Sequence, residues 1–312
     1  LNPLQPEVTD MFSQVENDLV ILQNMEELYW PEQNVNTIQS WDVNSGYMIK
    51  MNKASQLYIP GTMDIQQTLE LESGWGLIPV LSDCNVTTAQ LLQNSNFTIV
   101  KEVAGTNLYW PQYGINTLEF LEPGKSYFLL LNDTTTLNYS GCKQYKSSAR
   151  IGNGFNPESP WNKVSATPVS HVFAIESHNP EVSHIGAGNT IGVFNAENQC
   201  CGFAVFGEKN TLVTFHDDPT TEIPDGLTEG EAFTMRLYQQ DTKLSYELFA
   251  TYEESLAAHD GKFTSNGLSA ITGLEVGELI VDEHSLKAVE MFPNPTSDKL
   301  HINNVLPLEL SY

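Results

Sequence analysis

The sequence repeats itself, and that constrains the fold more than any other feature. Residues 28–61 read LYWPEQNVNTIQSWDVNSGYMIKMNKASQLYIPG, and residues 108–141 read LYWPQYGINTLEFLEPGKSYFLLLNDTTTLNYSG, aligned without a gap at an offset of 80. Ten of the 34 positions are identical: Leu28, Tyr29, Trp30, Pro31, Asn36, Thr37, Tyr47, Asn52, Leu57 and Gly61, each with its partner 80 residues later. About two matches would arise by chance at ordinary composition. One structural unit is used twice.

The second copy shows what the unit contains. Residues 74–80 (Gly-Trp-Gly-Leu-Ile-Pro-Val) read as a short buried strand. Thr87-Thr88-Ala89-Gln90 reads as a capping box opening a short helix. Residues 97–103 alternate apolar and polar side chains, as a half-buried strand does. Further strands are expected at 108–110, 126–131 and 135–139. In the first copy, residues 7–14 match the helix and 19–23 the next strand, but the strand at 74–80 has no counterpart because its place falls before Leu1. The first copy is therefore expected to lack a strand, to expose an apolar slot, and to receive that strand from upstream or from another chain.

The expected fold is mainly β. Copy 1 spans 1–61 without its first strand, copy 2 spans 62–141, and 142–160 is a Ser/Gly/Asn/Pro-rich linker. Residues 161–280 carry seven short strand candidates, at 164–166, 171–175, 190–194, 202–206, 211–215, 232–238 and 244–251, the pattern of an antiparallel β-sandwich. Residues 281–312 form a second linker and a C-terminal motif.

Charge limits the partners. The 312 residues carry 14 Lys plus Arg against 39 Asp plus Glu, a formal net charge of −25. A nucleic-acid groove needs clustered cations, and Arg150 and Arg236 are the two arginines. No apolar run reaches the ~20 residues of a membrane span. The chain opens at Leu1-Asn2-Pro3 and stops at Ser311-Tyr312 without start or stop signals, which suggests a piece of a longer protein.

Cys84, Cys142, Cys200 and Cys201 permit three pairings. A bridge between adjacent Cys200 and Cys201 is strained, which favours one bond between Cys84 and Cys142; four buried thiols are the alternative.

Near the end, Met291-Phe292-Pro293-Asn294-Pro295 precedes Thr296-Ser297-Asp298 and an alternating stretch through Ile302. This resembles the opening of the type A C-terminal sorting domain of type IX secretion substrates, with Phe292, Pro293, Asn294 and Pro295 as the matching residues. The resemblance implies dealings with the type IX secretion machinery, export, and a secreted or outer-membrane-surface location. The upstream repeats look like the accessory modules that precede that domain.

Candidate chemistry is sparse. No nucleophile elbow, HExxH helix or P-loop is present. Asp217, Asp218, Asp225 and Glu229 cluster on one acidic segment and could hold calcium, whose coordination favours six to eight oxygens; a solvated loop is the alternative. His171, His178 and His184 recur in one segment and are read as ordinary histidines. The retained Trp30, Trp110, Tyr29, Tyr109, Tyr47 and Tyr127 are expected to fill the unit core, whereas Trp41 and Tyr113, present in one copy each, are candidates for a surface ligand such as a glycan. These features point to a non-catalytic adhesive, structural or ligand-binding protein. The alternatives are an accessory region of a larger secreted hydrolase or a strand-exchanging assembly subunit.

Overall fold

The computed structural model describes residues 2–62, 68–139 and 159–280, and the backbone of two short paired strands, Glu290–Phe292 and His301–Asn303. The chain is mainly β, with three short α-helices among the described residues. The linker expected at 142–160 falls almost wholly outside them, and so do Cys142, Pro293, Asn294 and Pro295.

The first unit contains helix α1 (Val8–Phe12) and strands β1 (Leu19–Gln23), β2 (Leu28–Trp30), β3 (Val35–Asn36) and β4 (Met48–Met51), in the sheet order β3-β2-β1-β4. The second contains β5 (Thr68–Leu71), β6 (Gly74–Pro79), helix α2 (Thr88–Leu91), β7 (Phe97–Glu102), β8 (Leu108–Trp110), β9 (Ile115–Asn116), β10 (Ser126–Leu131) and β11 (Thr135–Asn138). Its main sheet runs β9-β8-β7-β10-β6, the same order with one strand added at the end.

Duplication extends to small features. Pro31–Gln33 and Pro111–Tyr113 are matching 3-10 turns, each closed by a left-handed residue, Asn34 at φ 54° and Gly114 at φ 64°. Thr37 Oγ1 accepts the Leu28 N–H, as Thr117 Oγ1 accepts that of Leu108. The Tyr47 and Tyr127 hydroxyls accept the N–H groups of Asp42 and Glu122, both at 3.0 Å. The offset is not 80 throughout. Leu22 pairs with Ile49 as Val100 pairs with Leu129, so β1 and β7 match at 78, and both carry a bulge at the same step. The first unit has two extra residues between helix and strand, and the second has two more in the β7–β8 hairpin.

The capping-box expectation fails locally. Thr87 occupies the N-cap position, but its side chain makes no cap hydrogen bond. Its backbone instead pairs with Phe120.

The third region is one seven-stranded sheet of β12 (Ser170–Ile175), β13 (Thr190–Phe194), β14 (Cys200–Val205), β15 (Thr211–Phe215), β16 (Thr234–Tyr238), β17 (Ser245–Tyr252) and β18 (Leu268–Ile280), with a helical turn α3 (Pro180–Ser183). The order is β14-β13-β16-β17-β18-β12-β15, and the sheet curls until its end strands approach. Gly202 allows this closure: a Cβ there would lie 2.2 Å from the Val213 carbonyl oxygen. The architecture is thus sandwich-like, but built from one curled sheet. Two details depart from expectation. Residues 164–166 form no strand, whereas Leu268–Ile280 does, and it runs parallel to β12.

Phe173, Ile175, Val193, Leu212 and Leu237 fill the inside of this sheet. Val172, Ala174, Val213 and Phe215, pointing the other way, pack against Ile99, Leu108, Trp110 and Ile115 of the second unit. Both faces of β12 and β15 are therefore covered, which is why these strands read as continuous apolar runs.

Candidate functional site

The two units differ where β6 is concerned. In the second, β6 pairs with β10 along its whole length and sends Ile78 into the core, where Val80 follows, against Leu91, Leu92, Val100, Leu121, Tyr127 and Leu129. In the first unit β4 is an edge strand with no neighbour beyond it among the described residues. The equivalent core, Met11, Phe12, Leu22, Trp41 and Tyr47, opens into a cavity of about 570 Å³.

Ile49 lies at the centre of this opening. It is 52% exposed, whereas its counterpart Leu129 is fully buried at 0%. Ile49 lines the 570 Å³ cavity, a second of about 400 Å³ with Ile21, Trp30 and Met48, and a third of about 590 Å³ beside residues 103–107. The three form a trough around the free edge of β4. The rest of the molecule steadies its walls. Gly46 N–H donates to the Leu77 carbonyl at 3.2 Å and Tyr47 N–H to Ser126 Oγ at 3.1 Å. Lys50 Nζ pairs with Asp218 at 2.5 Å and also reaches Thr220.

The candidates from sequence fall in different places. Trp41 lines the trough, stacked on Tyr47 with ring centroids 4.0 Å apart. Tyr113 instead packs edge-on to Trp110 at 4.6 Å, beside the third region. Tyr29, Tyr109, Tyr47 and Tyr127 sit in or against their unit cores. Trp110 does not: it is buried between the second unit and the curled sheet. Its counterpart Trp30 is partly exposed on the trough wall.

The acidic segment uses its own carboxylates. Asp217 accepts the Asp225 N–H at 2.7 Å, Asp225 accepts that of Asp218 at 3.3 Å, and Asp218 accepts from Thr220 and Lys50. The Lys50 ammonium and the Thr220 hydrogen bonds hold the Asp218 carboxyl below its ordinary range, against the upward push of burial. Glu229 turns away to the Ser265 N–H at 2.7 Å. Among the described residues no three His, Cys, Asp or Glu converge on one point as metal ligands. His171 is buried, its Nδ1 accepting the Thr264 N–H and its Nε2 bonded to Ser269 Oγ, while His178 and His184 are exposed. Cys84 is disulfide-bonded, and Cys200 and Cys201 are free and buried.

Sequence reasoning missed Lys101. Its ammonium is buried between the second unit and the curled sheet, donates to Ser170 Oγ at 2.7 Å, and lies 4.7 Å from the Phe128 ring centre. Burial pushes its pKa down to about 7. The strand alternation that puts Lys101 on the face of Ile99 was the available signal.

No helix among the described residues is long and apolar enough to cross a membrane. No family model, no curated protein and no solved structure matches the chain.

Proposed function

We propose that the chain is a non-catalytic β-module protein of the cell surface or secreted fraction, exported by the type IX route, and that it works by binding through the trough along β4. One observation carries the binding part: Ile49, 52% exposed, lies in an apolar trough at a position that the second copy of the same unit buries completely. An apolar opening beside an unpaired strand edge is costly to leave in water and marks an interaction surface. The export part is supported by the likeness of Phe292, Pro293, Asn294 and Pro295 to a sorting-domain opening. The same open edge favours a second reading, an assembly subunit joined to its neighbours by strand addition.

Two measurements test this. Antibody labelling of intact producing cells should detect the protein, and changing Phe292, Pro293, Asn294 and Pro295 together to alanine should abolish the signal; unchanged labelling would refute export by this route. Purified chain should adhere to the cells that make it, and Ile49→Glu should reduce adhesion. Equal adhesion by both proteins would remove the trough as the working surface.

A further inference from the structure

We infer that the Lys50–Asp218 ion pair is a charge-controlled latch: it holds the first unit closed against the curled-sheet region, and its release lets that unit swing away as an arm. The inference does not depend on the reading of the trough as a binding surface.

The two copies turn the same face to one platform. That platform is the β12–β15 pair and the segments that meet at its end, where the Val169 carbonyl accepts the His216 N–H at 2.9 Å and Thr167 Oγ1 donates to the His216 carbonyl at 2.8 Å. The second unit sits directly on the strands, with Ile99, Trp110, Ile115 and Leu130 packed against Val172 and Phe215. In the first unit the matching residues are Ile21, Trp30, Val35 and Lys50, since Ile21 pairs with Lys50 as Ile99 pairs with Leu130. This face is not seated in the same way. Ile21, Trp30 and Met48 stand apart from Ala166, Pro168 and Val169 across the 400 Å³ cavity, and Val35 is 37% exposed where Ile115 is 3% exposed.

Where one copy makes an apolar contact, the other makes an ion pair. Lys50 takes the place of Leu130, and its ammonium bonds Asp218 Oδ2 at 2.5 Å and the Thr220 hydroxyl. Asp218 is oriented for this role. Its Oδ1 accepts the Thr220 N–H at 3.0 Å and the Thr220 hydroxyl at 2.7 Å, which leaves Oδ2 to the ammonium. Among the described residues, the hydrogen bonds and the ion pair that join the first unit to the third region all start from Lys50 Nζ. Just before β4, the Gly46 and Tyr47 N–H groups tie the first unit to Leu77 and Ser126 of the second, and these bonds form the pivot.

The two seats differ in what loosens them. The Lys50 and Asp218 side chains are 38% and 17% exposed, so dissolved ions reach the pair and screen it. The apolar seat of the second unit carries no such charge pair. Behind Lys50 the facing surfaces are held apart by the cavity, and so add little dispersion attraction once the charges separate. Salt should therefore release the first unit and leave the second in place.

Distances between spin labels in the full chain test the latch. The exposed Glu26 of the first unit and Glu197 of the third region are changed to cysteine and labelled; Glu119 of the second unit with Glu197 gives the control pair. Raising salt from ~0.01 M to ~1 M shortens the Debye length from about 30 Å to about 3 Å. The population at longer Glu26–Glu197 distance should then rise about 2- to 5-fold, with the control pair unchanged. Lys50→Met and Asp218→Asn should each produce that population at low salt and remove the salt response, and the two together should do no more than either alone. A Glu26–Glu197 distribution that stays narrow at high salt or in Lys50→Met would overturn the latch. Equal broadening of the control pair, or additive effects of the two substitutions, would overturn it as well. The salt series keeps both Lys50 and Asp218, so it decides even where a substitution impairs folding.

Discussion

Ile49 and Leu129 hold the same place in two copies of one fold, yet one is 52% exposed and the other is fully buried. Each faces the matching residue of the preceding strand, Leu22 and Val100. The difference comes from the far side, where Gly76 in β6 pairs with Leu129 and nothing among the described residues pairs with Ile49.

The two positions should respond unequally to the same truncation. Leu129→Ala leaves a hole in a closed core and should cost about 2–5 kcal/mol. Ile49→Ala removes a side chain already half in water and should cost less than ~1 kcal/mol. Urea unfolding of the two variants measures both; equal losses would mean that Ile49 is covered in solution.

Lys101 should make stability depend on alkaline pH. The unfolded side chain titrates near ~10.4, whereas burial lowers the folded value to about 7. Between those values the unfolded chain holds the proton that the folded chain has lost, so stability rises with pH from about 7 to about 10. Below about 7 both states are protonated and the full cost of burying the charge remains. Lys101→Met should raise the melting temperature at pH 7 and flatten the rise. Calorimetry at pH 7 and at pH 9.5 decides; parallel profiles for the two proteins would show that Lys101 is not the source.

Closure of the curled sheet should depend on Gly202. Any Cβ there meets Val213 backbone at 2.2 Å, which cannot move aside like a flexible side chain. Gly202→Ala should destabilise by about 1–3 kcal/mol, read by thermal unfolding. An unchanged midpoint would mean that β14 and β15 lie farther apart than described.

The free thiols should be silent in the native protein. Burial pushes Cys200 up to about 11 and Cys201 up to about 12, so neither supplies thiolate near neutrality. Iodoacetamide at pH 8 should label both only after unfolding in denaturant, as peptide mapping would show. Native labelling of either residue would reveal an opening of β14.

Calcium should leave the melting temperature unchanged. Asp217, Asp218 and Asp225 are engaged by backbone N–H groups, Thr220 and Lys50, and Glu229 is engaged by Ser265. A rise of several degrees in millimolar calcium, lost in Asp225→Asn, would place a cation on this loop after all.

Local pattern made much of the fold legible. Residues identical at an offset of 80 recur as the same turns, threonine bonds and tyrosine bonds. Alignment showed that residues 1–61 hold no counterpart of the strand at 74–80, and among the described residues the first sheet has one strand fewer than the second. Of the site candidates, Trp41 lies on the trough wall, whereas Tyr113 packs against Trp110. Leu268–Ile280 escaped notice because Gly273, Gly277 and interspersed acids break its alternation.

By itself the sequence determined that one β unit occurs twice, that its tyrosine and threonine positions do the same local work, and that residues 1–61 hold no counterpart of the strand at 74–80. Those are consequences of side-chain period and turn chemistry, which act over a few residues. Tertiary structure alone decided that Trp110 is buried on the curled sheet while Trp30 borders a trough, that Lys101 is sealed at an interface, and that β12 and β18 run parallel. Each depends on surfaces far apart in the chain, and two copies of one sequence pattern can be covered differently because burial is set by what packs against them, not by the pattern itself.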